Sequence, residues 1–144
     1  YKKENIIPNY LSRPELLNLH NVCDCYISTS HGEAWNIPAF EAMAFGNTPI
    51  CTEYGGPEDF IDKENKQTGT LIRGVSKICN HQNAAFGFLG TGREMWFEPD
   101  DRHTIETMRY YFENRKNKDN TQGIKQANKF SYKNIGKLMQ ESLL

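Results

Sequence analysis

The feature that most constrains the fold is a strand, a helix and a second strand within residues 22–52. Residues 22–28 form a partly apolar run between a helical segment and a Ser/Thr/Gly loop, which favours a buried strand. A helix follows, with Pro38 at its first position and Gly46 at the left-handed position that ends it. Residues 49–52 are the next short strand. This order predicts parallel strands joined by a right-handed crossover, and therefore an α/β fold with helices on both faces of the sheet.

Weaker signals extend this pattern in both directions. Residues 6–7 could end an earlier strand, and residues 71–72 could form a third one. Residues 74–94 show no clear period and are interpreted as a long loop or an insertion.

The other helix signals are caps followed by apolar residues at helical spacing. Ser12 and Glu15 form a capping box, Asp100 or Asp101 can cap a later helix, and Ser131 can cap the last one. The residues expected to face the core are Leu16, Leu17 and Leu19; Ile37, Phe40 and Ala44; Ile105, Met108 and Phe112; and Ile135, Leu138 and Met139.

Length and charge exclude several classes of protein. A chain of 144 residues suits one domain. Seventeen basic and eighteen acidic residues leave a formal charge of −1, which argues against a nucleic-acid binder and still permits a small anionic ligand. No apolar run approaches the roughly 20 residues that span a bilayer, so no transmembrane segment is expected.

The cysteines and histidines favour neither disulfides nor a metal. Cys23 and Cys25 flank a single residue, which is not the usual spacing of zinc ligands, and the four histidines lack ligand spacing. All four cysteines are interpreted as reduced, mostly buried thiols, which favours the cytoplasm. The chain begins in mid-pattern at Tyr1 and is expected to be a fragment of a longer protein.

Two glutamates carry the clearest functional signal. Seven residues separate Glu33, in the loop after a strand, from Glu41, near the start of the next helix. Open parallel sheets bind ligands at that end of the strands, and the free N–H groups of residues 35–37 would form an anion site with the helix dipole. A diphosphate beside two carboxylates that accept sugar hydroxyls describes a bound sugar nucleotide. The alternative is that both carboxylates are solvated and merely complement the helix dipole.

A longer run of motifs resembles the donor-binding core of retaining glycosyltransferase family four, the glycosyl transferases group 1. That family has an aspartate before a strand, a serine after it, a Glu-x7-Glu motif ending in Glu-Ala-Met-Ala-x-Gly, then x-Pro-Ile/Val and a Gly-Gly turn. The matching residues are Asp24, Ser30, Glu33, Glu41-Ala42-Met43-Ala44, Gly46, Pro49-Ile50, Gly55-Gly56 and Glu58. Residues 96–100 and 130–132 resemble later stretches of the same family. The resemblance implies a Rossmann-like sheet, the C-terminal half-domain of a GT-B fold.

The resemblance also implies a function for the matching positions. Glu41 would accept hydrogen bonds from the ribose, and Glu33, the catalytic residue, would bind and orient the donor sugar. The expected donor-binding residues are Gly32, Ala34, Trp35, Asn36, Ile37, Glu41, Gly55 and Gly56. No side-chain nucleophile is expected, because the acceptor hydroxyl would attack on the face from which the phosphate leaves. No metal or other cofactor is expected if N–H groups and basic side chains carry the charge of the diphosphate. Trp35 departs from the family pattern and would narrow the sugar pocket.

The same resemblance implies a larger protein. Residues 1–144 would be a nucleotide-sugar binding domain that is incomplete at its N-terminus, without the acceptor-binding domain and the basic residues that clamp the diphosphate. The expected partners are a nucleotide sugar, an acceptor glycan, lipid or small molecule, and the missing domain, through which a cytoplasmic protein could lie at a membrane. The alternative function is a non-catalytic module that binds a nucleotide sugar or a protein. A dinucleotide-binding domain is disfavoured because no Gly-x-Gly-x-x-Gly follows a strand.

Overall fold

The computed structural model describes residues 5–79, 93–114 and 120–143 of the chain. Within these ranges the helices are α1 (Arg13–Val22), α2 (Ile37–Ala44), α3 (Pro57–Phe60), α4 (Asp101–Glu113), α5 (Thr121–Lys129) and α6 (Tyr132–Ser142). The strands are β1 (Cys25–Ser28), β2 (Thr48–Thr52), β3 (Thr70–Ile72), β4 (Gly74–Ile78) and β5 (Met95–Pro99).

Strands β1, β2 and β3 form a three-stranded parallel sheet in that order, which confirms the parallel strands predicted from residues 22–52. Helix α2 links β1 to β2 and packs against both strands. Strand β1 is shorter than predicted because Val22 is still the last residue of α1, so that pairing with β2 starts only at Cys25.

Helices cover both faces of this sheet, as expected. On one face, Met43 of α2, Cys51 of β2 and Ala127 of α5 belong to one buried core. On the other face, the hydroxyls of Thr70 on β3 and Tyr111 on α4 are 2.7 Å apart. Thr70 pairs with the residue before Cys51, and successive strand residues point to opposite sides. The mixed α/β, Rossmann-like fold is therefore confirmed.

Two predicted helix boundaries are confirmed and one predicted strand is wrong. The backbone N–H and the hydroxyl of Ser12 both donate to the Glu15 carboxylate, at 2.8 and 2.6 Å, at the start of α1. Gly46 follows α2 with a φ of +82°, the left-handed conformation that ends a helix. Residues 6–7 form no strand, because their isoleucines are exposed and no described strand lies beside them.

The buried face of α2 differs from the predicted one. Ala39, Ala42 and Met43 are fully buried, whereas Ile37 is 61% exposed and Ala44 is also exposed. Almost every residue of this helix is apolar, so the sequence contains no polar stripe that fixes its orientation. The small side chains of the two buried alanines allow α2 to lie close to the sheet.

The prediction of a loop for residues 74–94 is wrong at its start. Residues Gly74–Ile78 form β4, which pairs antiparallel with β5 and so creates a second, two-stranded sheet. The rest of the predicted loop, residues 80–92, lies outside the described residues. The period is weak because four of the five residues of β4 are exposed, so burial leaves no alternating pattern in the sequence.

The last helices are present, but their predicted inward faces are not buried. Asp100 caps α4 by accepting from the His103 N–H at 2.9 Å, and Ser131 caps α6. The side chains that we expected in the core are nevertheless exposed or at the edge of exposure, namely Ile105, Met108, Phe112, Ile135, Leu138 and Met139. Helix α6 packs mainly on α5 and has no buried residue, so its apolar stripe stays open in the described part of the chain.

Candidate functional site

The candidate site lies where the chain leaves β1 and β2, at the carboxyl edge of the parallel sheet. Residues 29–36 follow β1, and residues 53–56 follow β2. The two segments meet through their backbones, because the Gly56 N–H donates to the Glu33 carbonyl at 3.3 Å. Open parallel sheets bind their ligands at this edge.

Gly55 and Gly56 explain how closely these segments approach each other. Gly55 has a φ of +75°, and a Cβ there would overlap the carbonyl oxygen of Glu33. A Cβ on Gly56 would overlap the Cα of Trp35 and lie 2.5 Å from the carbonyl oxygen of Ala34. The close approach that requires glycine at these two positions is therefore to the loop that carries Glu33, and the donor-binding role implied by the resemblance stays a prediction.

Glu33 is half-buried, and its negative charge contributes to the raised pKa values of two groups on the sheet. Burial raises the pKa of the Cys51 thiol to about 12, and the negative charge of Glu33 contributes to that shift. Burial also raises the pKa of the Tyr26 phenol, with smaller contributions from Cys51 and Glu33. Within the described residues Glu33 makes no side-chain hydrogen bond and no ion pair. Its oxygens are therefore free to accept from a ligand.

The start of α2 carries unpaired backbone donors. Asn36 caps the helix in the left-handed conformation, with a φ of +59°, and its side-chain oxygen accepts from the Ala39 N–H at 3.3 Å. In the part of the chain that the structure describes, the N–H groups of Ala34, Trp35, Asn36 and Ile37 have no hydrogen-bond partner. Such groups at a helix N-terminus, with the helix dipole behind them, favour an anion.

The Trp35 side chain has a structural role that the sequence did not predict. Its ring packs against Phe40, Phe60 and Phe130, with centroid separations of 5.7, 5.4 and 5.4 Å. This aromatic cluster joins the loop after β1 to α2, α3 and the end of α5. The Trp35 ring therefore helps to hold the loop in place. That it narrows a sugar pocket stays a prediction, and its backbone N–H stays a candidate donor.

Glu41 is already paired with a cation in this structure. Both guanidinium nitrogens of Arg13 donate to its two carboxylate oxygens, the Nη1–Oε2 distance being 2.8 Å. The hydrogen bond to Glu41 raises the pKa of the Arg13 guanidinium further. The Arg13 side chain is 58% exposed and that of Glu41 only 19%. No local sequence signal predicts this pair, because 28 positions separate the two residues.

The β4–β5 hairpin lies against the same loop and contributes residues that the sequence did not assign to the site. The Trp96 ring stacks on the His31 imidazole with a centroid separation of 4.2 Å. The Glu98 carboxylate lies 3.3 Å from Nε2 of the same histidine. The adjacency of His31 to Gly32 and Glu33 was the only hint in the sequence that this residue is close to the site.

Two cavities lie away from this edge, on the α4 side of the sheet. One, of about 430 Å³, is lined by residues of β3 and α4 that include Thr70, His103 and Tyr111. A second, of about 360 Å³, is lined by apolar residues that include Ile27 and Ile50. Glu33 and Glu41 line neither of these two cavities.

Metal sites and membrane-spanning helices can be assessed for the described residues. No group of three His, Cys, Asp or Glu side chains is placed so that it could hold a metal ion. None of the described helices combines the length and the apolar character needed to cross a membrane.

Among the described residues, a parallel sheet carries unpaired helix-start donors and a carboxylate without a partner at its carboxyl edge, which defines a Rossmann-like domain with a candidate ligand site. The family model described as Glycosyl transferases group 1 matches residues 1–80, which include Glu33, Glu41 and both glycines of the turn. The chain belongs to this glycosyltransferase family. A search of curated proteins found no match.

Proposed function

We propose that the chain is the nucleotide-sugar binding part of a GT-B glycosyltransferase, which transfers the glycosyl group with retention to an acceptor hydroxyl. The observation that carries this proposal is the combination of unpaired N–H groups at residues 34–37 with the free carboxylate of Glu33. The family match supports the class of reaction.

The proposed site assigns one part of the donor to each group. The N–H groups of residues 35–37 and the dipole of α2 hold the diphosphate. Glu41 accepts the two ribose hydroxyls, and Glu33 accepts hydroxyls of the sugar and orients it, with backbone contributions from Gly32, Ala34 and the turn at Gly55 and Gly56. Positioning and stabilisation of the leaving diphosphate supply the catalysis, so the chemistry requires no side-chain nucleophile or metal.

The acceptor is assigned to another part of the protein. In a GT-B enzyme the cleft lies between two domains, and we propose that a separate domain binds the acceptor. We also propose that the basic residues beside the diphosphate lie upstream of these 144 residues, in the same donor-binding domain. The acceptor itself is a hydroxyl-bearing glycan, lipid or small molecule.

A thermal-shift screen tests the proposed function. The panel contains UDP, GDP and ADP, each with a matching nucleotide sugar (UDP-glucose, GDP-mannose and ADP-glucose). A ligand at a hundred times its Kd stabilises the folded chain by about 2.7 kcal/mol, so one base is expected to raise Tm clearly. If no member of the panel shifts Tm at millimolar concentration, the proposed donor class is wrong.

Arg13→Ala is expected to tighten the binding of a nucleoside diphosphate roughly two- to fivefold, because the ion pair it removes is weak and exposed. In the structure the guanidinium occupies both oxygens of Glu41, which are the two acceptors that a ribose diol needs. Calorimetric titration with the diphosphate selected by the screen measures the change.

Arg102→Ala is the matched control for that substitution. It removes another exposed arginine–glutamate pair, with Glu106 on α4, and should leave the affinity unchanged. Weaker binding by Arg13→Ala would contradict the expectation, and would show that Arg13 contacts the nucleotide directly.

A further inference from the structure

The β4–β5 hairpin holds the loop before Glu33 through three successive residues of one strand. Trp96 stacks on His31, and Glu98 lies beside its imidazole. Between them, the Phe97 N–H donates to the His31 carbonyl at 3.0 Å. His31 is thus fixed by its ring, its Nε2 and its backbone, only two positions before Glu33.

The opposite face of β5 holds the second segment of the site. Because strand side chains alternate, Phe97 points away from its two neighbours, and its ring stacks on Tyr54 with a centroid separation of 5.6 Å. Tyr54 directly precedes Gly55 and Gly56, which pack against the backbone at Glu33. Strand β5 therefore contacts both the loop that carries Glu33 and the turn that packs against it.

Glu33 depends on these contacts for its position. Within the described residues its carboxylate has neither a hydrogen-bond nor an ion-pair partner, so only backbone contacts and packing fix where it points. Those contacts include the hydrogen bond from the Gly56 N–H to the Glu33 carbonyl and the contacts between β5 and His31. β5 lies beyond residues 1–80, the part of the chain that the family model covers.

Resting on the function proposed above, we propose that the β4–β5 hairpin positions Glu33 toward the donor sugar and so sets the affinity for the sugar part of the donor. Trp96 and Phe97 are positioning residues, acting through His31 and Tyr54. The proposed ribose acceptor, Glu41, lies on α2, and the proposed diphosphate donors lie at residues 35–37, where the loop enters α2. The hairpin contacts this loop at His31, on the other side of Glu33. Loss of the contact between Trp96 and His31 should therefore weaken the binding of a nucleotide sugar more than the binding of its free diphosphate.

Trp96→Ala is expected to lower the affinity for a nucleotide sugar on the order of tenfold and the affinity for its free diphosphate less than twofold. The reason is that a misplaced Glu33 carboxylate would lose one hydrogen bond to the sugar. The probes are the pair selected by the screen, for example UDP-glucose and UDP, titrated calorimetrically against the full chain. Trp96→Phe keeps an aromatic ring on His31 and should restore most of the affinity.

Met95→Ala is the matched control, because Met95 is an exposed residue of β5 that precedes the three residues holding His31. If Trp96→Ala fails to fold, Glu98→Gln removes the charge beside His31 with little change in shape, and should weaken the nucleotide sugar selectively but less. Hydrogen exchange without ligand gives a second readout, in which Trp96→Ala should speed exchange of the Gly56 amide.

A double-mutant cycle with Glu33→Ala separates the possible outcomes. If the hairpin acts through Glu33, adding Trp96→Ala to Glu33→Ala should weaken the nucleotide sugar no further. Equal weakening of both ligands by Trp96→Ala, additive losses in the double variant, or no loss at all would each overturn the hairpin's role. A wild-type chain that binds no member of the panel would instead overturn the proposed function.

Discussion

Glu41→Ala is expected to weaken a bare nucleoside diphosphate and its nucleotide sugar alike, by about ten- to a hundredfold, because it removes charged hydrogen bonds to the ribose. Both ligands carry the ribose, so the loss should not depend on the sugar. The Arg13 guanidinium already shows that the two oxygens of Glu41 can accept two donors side by side. Calorimetric titration of the variant with both ligands measures the two losses.

Glu33→Ala is expected to weaken only the nucleotide sugar, by a similar factor, and to leave the diphosphate almost unchanged. Glu106→Ala is the control for both variants, because it removes a carboxylate that lies on α4, away from the loop after β1 and from α2. Equal losses on the bare diphosphate for Glu33→Ala and Glu41→Ala would contradict this division of roles. If neither variant changed binding, Glu33 would bind no ligand, and Glu41 would serve only its ion pair with Arg13.

Gly55→Ala is expected to lower the free energy of unfolding by about 3–4 kcal/mol, through a left-handed backbone and a steric overlap together. The φ of +75° disfavours any side chain, and the new Cβ would overlap the carbonyl oxygen of Glu33. Backbone cannot rotate away as a flexible side chain can, so the loop after β1 would have to move. Urea unfolding of the variant against the wild-type chain gives the difference.

Gly136→Ala is the control for that experiment. Gly136 lies within α6, and a Cβ there would meet nothing within 4 Å. This substitution should stabilise the chain by about 0.5–1 kcal/mol, because alanine loses less backbone freedom in a helix. A Gly55→Ala chain as stable as wild type would show that the turn does not press on the Glu33 loop as the structure has it.

The elements around residues 22–52 could be predicted because their signals are local. Ser12 with Glu15 and Gly46 mark helix ends through contacts within a few positions, and all of them are found where expected. Strand β4 could not be predicted, because its partner β5 begins more than 15 residues later and its own side chains are mostly exposed. The buried face of α2 was predicted wrongly because an almost wholly apolar helix has no polar stripe to show which side faces solvent.

The candidate site could be predicted in part, for the same physical reason. The motif residues from Gly32 to Glu41 are contiguous, so the sequence brings Glu33 and the helix-start donors to one loop. Arg13 and Trp96 reach that region only through tertiary packing, from 28 and 65 positions away from Glu41 and His31. The donor-binding role of each of these residues stays a prediction.

An amide NMR titration with the nucleoside diphosphate selected by the screen tests the central claim most directly. The account predicts that the largest shifts occur at the N–H groups of Trp35, Asn36 and Ile37, which have no partner in the described chain. The competing location is the cavity of about 430 Å³ between β3 and α4. Largest shifts at His103 and Tyr111, with residues 33–37 unchanged, would contradict a donor site at the start of α2.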